Sequence, residues 1–427
     1  MRPTGSSLIT GPDARQRQAR LATSAAFAAQ GLMFTVLLTH LPQFTDRYGI
    51  SEGTVTLVVL MVTVLAGVGS IASELLAAAT SSQTALRCAL LVIAGGGAAI
   101  GLAPGLPWFI AGFALYGVGV GAVDAGGNMQ GVAVQHRYGR SIITSFHAVW
   151  SAAAIIGALY VAGGERLSVP LPASILPVAA VIVLIALVAG PRLLPPDSPG
   201  ESLSGSTTPK VSAPTDMVEP TPAAKSAVSF MGGQMLLLGL AMICFWSVDS
   251  GVSNWSALYL RDTLDAADST AALGYALYQA FALISRLTGD FAVRTLGAVT
   301  TVRVGAVVGT AGTLLVVLAP GPVVAIVGFG LAGLGLPVIA PLCFSAAGAA
   351  VRSPGAVQEH RTASEDAAVD SVVARLNVFN YLGALLGAVV VGGVATAADL
   401  RVGFIVPVLL AGTVFFLAQA FAPAENP

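Results

Sequence analysis

The stretch VVAIVGFGLAGLGLPVIAPLCF, residues 323–344, decides how the whole chain has to be read. It carries no charge, and at roughly 1.5 Å of rise per helical residue it is long enough to cross a hydrocarbon core of about 30 Å. Working outward from it, runs of the same kind fill the chain. The second half holds 228–251, 270–287, 302–319, 323–344, 372–395 and 402–421, and the first half holds 21–41, 54–76, 85–103, 108–132, 142–162 and 171–193. The expected fold is an all-α membrane protein of 12 transmembrane helices, arranged as two pseudo-symmetric six-helix bundles over 21–193 and 228–421. A tail (1–20), a linker (194–227) and a second short tail (422–427) complete the division.

Composition agrees. Of 427 residues 55% are hydrophobic and 10% charged, where soluble domains carry roughly a quarter charged. A net charge of -1, with the basic residues scattered among short loops, leaves no electrostatic footprint for nucleic acid, so the expected partners are a lipid bilayer, a small-molecule substrate and protons, with the chain acting as a monomer. Cys88, Cys244 and Cys343 fall in separate apolar runs without metal-ligand spacing and read as small packing residues. No cofactor or metal is expected. With no phosphate-binding glycine loop and no nucleophile paired with a base, neither ATP drive nor an enzyme is expected.

The linker contains PPDSPGESLSGSTTPK (195–210), which cannot bury enough apolar area to offset its ordering entropy and reads as a flexible connection. With the N-terminus in the cytoplasm, about sixteen of the 20 Lys+Arg lie on that side, and Arg47, Arg166, Arg261 and Arg401 fall outside. This asymmetry predicts a bacterial inner membrane protein with both termini cytoplasmic. The first apolar run is too long, and lacks the small-residue cleavage site, for a removable signal peptide.

The halves echo each other. FALYGVGVG from Phe113 resembles FGLAGLGLP from Phe329, and SFHAVWSAAAIIGA from Ser145 resembles RLNVFNYLGALLGA from Arg375, pairing His147 with Asn377 and Trp150 with Asn380. This layout, with a central linker, resembles the major facilitator superfamily over nearly the whole chain. The runs GVGVGAVDAGGNMQGVAVQ (117–135), SFHAVWS (145–151), NWSALYLRDTL (254–264) and SRLTGDFAVRTLG (285–297) look like its MosC/YbjJ-like branch. The resemblance implies alternating access and small-solute transport, and it implies a gating role for Arg286, Asp290 and Arg294 at the cytoplasmic end of helix eight. Ordinary positive-inside loop charges are the alternative for these three. The first-half counterpart, SELLAAATSSQTALR (73–87), has lost most of the family pattern, and no proline-bearing fifth-helix motif of the proton-drug antiporters is present in 152–164.

An ionisable group near the bilayer centre costs roughly 2.5–3.5 kcal/mol on insertion scales, so each one needs a partner or a task. Asp124 lies in helix four with Asn128 one turn on, and His147 enters at comparable depth on helix five. The three are expected to share a pocket in which an acid and an imidazole exchange protons. A static interhelical hydrogen bond, worth about 0.6 kcal/mol on average in membranes, is the rival reading. In helix seven, Trp246, Asp249, Asn254 and Trp255 surround a flexible Ser250 and Gly251, where glycine permits a helix break. Asp249 is assigned to substrate or proton, and Trp255 reads equally as an interfacial belt residue. Gln30, Tyr278, Gln279, Asn377, Asn380 and Tyr381 complete the expected lining, while Glu74 and Arg375 are expected to snorkel from helix ends. Pro337 and Pro341 should bend helix ten.

The expected function is secondary active transport driven by protons. Two acids and no clear intramembrane Lys or Arg favour efflux of a neutral or cationic amphipathic compound, drug-like or a peptide metabolite. Proton symport of a polyol-like or sugar-like solute is the alternative, and a non-transporting membrane sensor a remote one.

Overall fold

The structure is a computed structural model that describes residues 13–50, 52–195, 222–351 and 363–422. The tail up to residue 12, linker residues 196–221 and residues 423–427 lie outside the described residues. The described chain is helical throughout. In the first half it runs α1 (Ala14–Thr39), α2 (Leu41–Tyr48), α3 (Glu52–Ala79), α4 (Ser82–Leu102), α5 (Leu106–Tyr138), α6 (Ile143–Arg166) and α7 (Leu171–Val188). In the second it runs α8 (Pro222–Leu258), α9 (Asp268–Leu296), α10 (Ala298–Leu318), α11 (Pro322–Gly335), α12 (Ile339–Ala350), α13 (Ala363–Ala397), α14 (Leu400–Gly403) and α15 (Ile405–Leu417). Helix α2 is a short addition, α11 with α12 makes the tenth span, and α14 with α15 makes the twelfth.

Local chemistry sets several boundaries. Helix α1 starts earlier than apolarity predicts because Asp13 and Gln16 close a reciprocal cap, with the Gln16 amide donating to Asp13 Oδ1 at 2.6 Å and the Asp13 amide donating to Gln16 Oε1 at 3.2 Å. Arg15, Arg17 and Arg20 are therefore helical. The expected bend in helix ten is a break: Pro337 lacks the amide that would continue the ladder, α11 stops at Gly335, and α12 resumes with Pro341 in its first turn, where no amide donor is required. The break that glycine permits at Ser250 and Gly251 is absent. Helix α8 passes through both to Leu258 and ends in a π-turn over Tyr259–Thr263, and Gly251 instead lets Val391 and Pro407 approach closely.

Among the described residues eleven spans are long and apolar enough to cross a membrane. The twelfth, α9, carries Arg286, Asp290 and Arg294 within its last three turns. Large apolar side chains face outward, among them Leu57, Leu159 and Phe416, the last 82% exposed, which water would penalise and acyl chains do not. The chain is a multi-pass membrane protein.

Packing repeats between the halves. Helix α4 packs on α5 as α10 does on α11, α3 on α5 as α9 on α11, α1 on α6 as α8 on α13, and α4 on α7 as α10 on α15. The halves then meet along α3 with α13 and, in the matching place, α6 with α9. This is the pseudo-symmetric pair of six-helix bundles expected from the sequence. We call the end where α1 begins and the linker departs the linker end, and the opposite one the far end.

Candidate functional site

The site is the polar layer between the two halves, built inward from the linker end. There α5 terminates at Tyr138, Gly139 turns the chain with φ 62°, and α6 begins at Ile143. A helix start leaves amide donors unpaired, and here two other helices satisfy them. Gln135 Oε1 of α5 accepts from the Ile142 and Ile143 amides, each at 3.1 Å, while its Nε2 donates to Ser345 Oγ across the interface at 2.5 Å. Asp290 of α9 accepts from the Thr144 amide at 3.2 Å, the Ser145 amide at 3.0 Å and Ser141 Oγ at 2.9 Å. A carboxylate from one half thus caps a helix of the other, where the helix dipole also favours negative charge. The approach depends on Gly289, since a Cβ there would come within 2.8 Å of Val338 and 3.1 Å of Thr144. Arg294 Nη1 adds a 3.0 Å bond to the Ser141 carbonyl.

The symmetry-related contact joins α3 and α13. Glu74 Oε1 accepts from Ser371 Oγ at 2.6 Å and from Arg375 Nε at 3.0 Å. Glu74 and Arg375 therefore do not snorkel independently, as expected from their positions, but pair across the interface.

One turn deeper, Asn377 Nδ2 donates to Ser70 Oγ at 2.7 Å and Asn380 Nδ2 donates to Asn377 Oδ1 at 2.6 Å. In the matching place Arg286 Nη1 donates to Ser151 Oγ at 2.6 Å. Arg286 is buried, at 8% exposure, among the transmembrane helices. The expectation of no intramembrane Lys or Arg is thereby overturned: Arg286 lies far enough from the end of α9 to leave the loop and enter the interior.

Asp124 lies at mid-depth. Gln30 Nε2 donates to its Oδ1 at 2.5 Å and the Tyr381 hydroxyl of the other half donates to its Oδ2. Asn128 Nδ2 bonds the Asp124 carbonyl at 2.8 Å, and Asn128 Oδ1 meets His147 Nε2 at 3.2 Å, with the His147 ring edge-on to Phe27. Asp124, Asn128 and His147 do assemble in one place, but the carboxylate itself bonds Gln30 and Tyr381, and Asn128 lies between it and the imidazole. On the opposing half, Asp249 Oδ1 accepts from the Tyr278 hydroxyl at 2.8 Å.

The other predicted lining residues divide. Trp246 packs on Phe245 and its buried Nε1 has no partner. Trp255 donates to the Ala388 carbonyl at 3.1 Å, tying α8 to α13 within one half. Asn254 is exposed and bonds Ser250 on its own helix, and Gln279 bonds the Tyr275 hydroxyl on its own helix. Sequence reasoning missed Ser70, Gln135, Ser141, Ser151, Ser345 and Ser371. Serine in an apolar helix is too common to stand out, although the internal echo carried a signal, since Ser141 and Ser371 lie equally far before His147 and Asn377. Among the described residues no cluster of His, Cys, Asp and Glu has the geometry to hold a metal ion.

The overall fold is shared with solved structures. The chain superposes on the outward conformation of the transporter FucP, the fucose:proton symporter of E. coli, with a TM-score of 0.72 over 95% of this chain and 98% of that one, at 15% identity. The fold is that of the major facilitator superfamily. The human organic anion transporter MFSD10 also matches, with a TM-score of 0.69, 14% identity and coverage of 95% and 99%. By sequence, the chain is 27% identical to an uncharacterized transporter of Sinorhizobium fredii over 92% of its own length and 96% of the relative's. It is 24% identical to an uncharacterized MFS-type transporter of Yersinia pestis over 94% and 95%. The membrane protein MosC of Rhizobium meliloti is 25% identical over 39% of this chain and 38% of that one. No family model matches the chain.

Proposed function

We propose that this chain is a secondary active transporter that moves a small organic solute by alternating access, its two six-helix halves rocking about the polar layer, with protons as the driving ion. The observation that carries this reading is Asp124, a carboxylate held mid-membrane by one residue of its own half, Gln30, and one of the other, Tyr381. A proton arriving on that carboxylate changes what it can accept from each half, so protonation and the relative position of the halves are linked. His147 and Asp249 are the further proton carriers of this reading. The positive-inside asymmetry supports placing the linker end in the cytoplasm of a bacterial inner membrane. On that orientation the Asp290 and Glu74 contacts close the cytoplasmic side, and the present conformation is outward-facing. Asp290 and Arg294 then belong to the cytoplasmic gate, Arg286 bridges to Ser151 one turn deeper where gate and cavity meet, and Trp246, Tyr278, Asn377 and Asn380 belong to the lining.

Two directions of transport fit this frame, efflux of an amphipathic compound and proton symport of a polar solute. The preference for efflux of a neutral or cationic amphipathic cargo rested on an interior without Lys or Arg, and Arg286 removes that ground, so symport is the stronger reading. In proteoliposomes, an imposed inward proton gradient should drive accumulation of the solute by the wild-type chain. Asp124→Asn should abolish gradient-driven accumulation and leave exchange of solute for solute across the membrane. Unchanged gradient dependence in that variant would rule out Asp124 as the coupling group.

A further inference from the structure

Arg286 is a cation that the protein leaves partly unsatisfied. A guanidinium keeps its charge in every protein environment and presents five N–H donors in a fixed fork. Here one nitrogen, Nη1, donates to Ser151 Oγ at 2.6 Å, and Nε is buried with no partner. Among the described residues no hydrogen bond or ion pair joins it to Asp249, although Asp249, Tyr275 and Tyr278 of its own half lie within electrostatic range of it, as does His147 of the other. The contrast with Asp290, whose carboxylate takes three donors at the end of the same helix, is direct. With Nη1 occupied, the edge left over is Nε with Nη2, the side of the fork that receives the two oxygens of a carboxylate in parallel.

We propose that Arg286 is the anchor for a carboxylate group on the transported solute, with Asp249 carrying the proton that enters with it. This rests on the transporter reading above and names its substrate class. The charge balance selects a monoanion. Arg286 and an ionised Asp249 together are neutral, so a bound carboxylate adds one negative charge, and one proton on Asp249 restores neutrality in an interior where net charge is costly. A dianionic phosphate would leave a second charge uncompensated. Tyr278 of α9 bonds Asp249 directly, Tyr275 and Arg286 of α9 lie within electrostatic range of it, and His147 of α6 lies within range of Arg286. Half-buried aromatic surface for the body of the solute stands close by in sequence, with Trp150 preceding Ser151 and Trp246 one turn before Asp249.

The experiment uses the full chain, purified in detergent, with benzoate, lactate and glucuronate as probes against benzamide, lactamide and glucose, reading thermal stabilisation and tryptophan fluorescence. At least one carboxylate should bind saturably and its uncharged counterpart at least about tenfold more weakly, as expected when a charged hydrogen-bond pair is lost. Arg286→Gln should weaken that carboxylate roughly 10- to 100-fold, and Arg286→Lys, which keeps the charge without the fork, by less. Binding should strengthen as pH falls, with about one proton taken up per anion by the neutrality argument, and should lose that dependence in Asp249→Asn. The proposal is overturned by no saturable response to any of the carboxylates, by amides or cations binding as well as the acids, or by Arg286→Gln or Arg286→Lys binding like wild type. Exchange in proteoliposomes separates this from the parent reading. A neutral solute exchanged equally by wild type and Arg286→Gln overturns the anchor and leaves transport standing, whereas a carboxylate bound through Arg286 but never exchanged overturns transport and leaves the anchor.

Discussion

The two contacts that close the linker end stand at matching places in the two halves, yet they are made differently. Asp290 of α9 meets the start of α6, and Glu74 of α3 meets α13; in both, a serine at the same offset, Ser141 or Ser371, donates to the carboxylate. The difference lies in the helix being met. Helix α6 begins at Ile143, so its first amides lack carbonyls a full turn back within the helix, and Asp290 accepts from two of them, the Ser145 amide also reaching the Ile142 carbonyl at 3.1 Å. Helix α13 begins at Ala363, well before Ser371, so the amides at that level are already spent on the helix itself and Glu74 must find a side chain, Arg375. The first latch is buried, with Asp290 at 6% exposure. The second ends in a guanidinium whose side chain is 74% exposed. One duplicated interface thus holds a dry capping contact and a wet ion pair, and where each helix starts decides which.

Three measurements sharpen that contrast. The largest effect is expected from Asp290→Ala, which strips charge-assisted bonds from the buried Thr144 amide, the half-buried Ser145 amide and one hydroxyl. A loss of roughly 2–4 kcal/mol from the closed linker end shifts the balance of states about 30-fold or more, read as increased labelling of a cysteine placed at Ser345 by a membrane-impermeant thiol reagent from the linker side. Labelling equal to that of the unsubstituted background would show that the cap does not hold the gate. Glu74→Gln should be milder, about 1 kcal/mol, because a neutral amide still accepts from Ser371 and only the charge is lost. Arg375→Ala should cost least, at most about 1 kcal/mol, and its effect should vanish in high salt, which screens an exposed pair but not the buried cap. If salt weakens closure as much in Arg375→Ala as in wild type, the salt-sensitive contact lies elsewhere.

The same contrast explains what could be read in advance. Asp290 and Arg294 stand in a stretch, SRLTGDFAVRTLG, whose resemblance to a known signature marked them before any contact was seen. Glu74 sits in text that has lost the signature, and Arg375 looks like any basic residue at a helix end, so their pairing was invisible. Asp124, Asn128 and His147 were placed together by counting helical rise on antiparallel neighbours, which works because a membrane fixes depth. The order of bonds among them was not countable, since Gln30 and Tyr381 come from helices distant in sequence. Ser250 and Gly251 misled because a small residue permits either a break or a close approach, and only the neighbours Val391 and Pro407 say which.

By itself the sequence determined the solvent, the number of spans and the two-fold internal repeat, because lipid allows only long apolar helices with their backbone groups paired internally. The tertiary structure alone decided how deep Arg286 sits and what it lacks. A charge near a helix end can turn toward water or inward, and the choice depends on a partner such as Ser151 that only packing brings within reach.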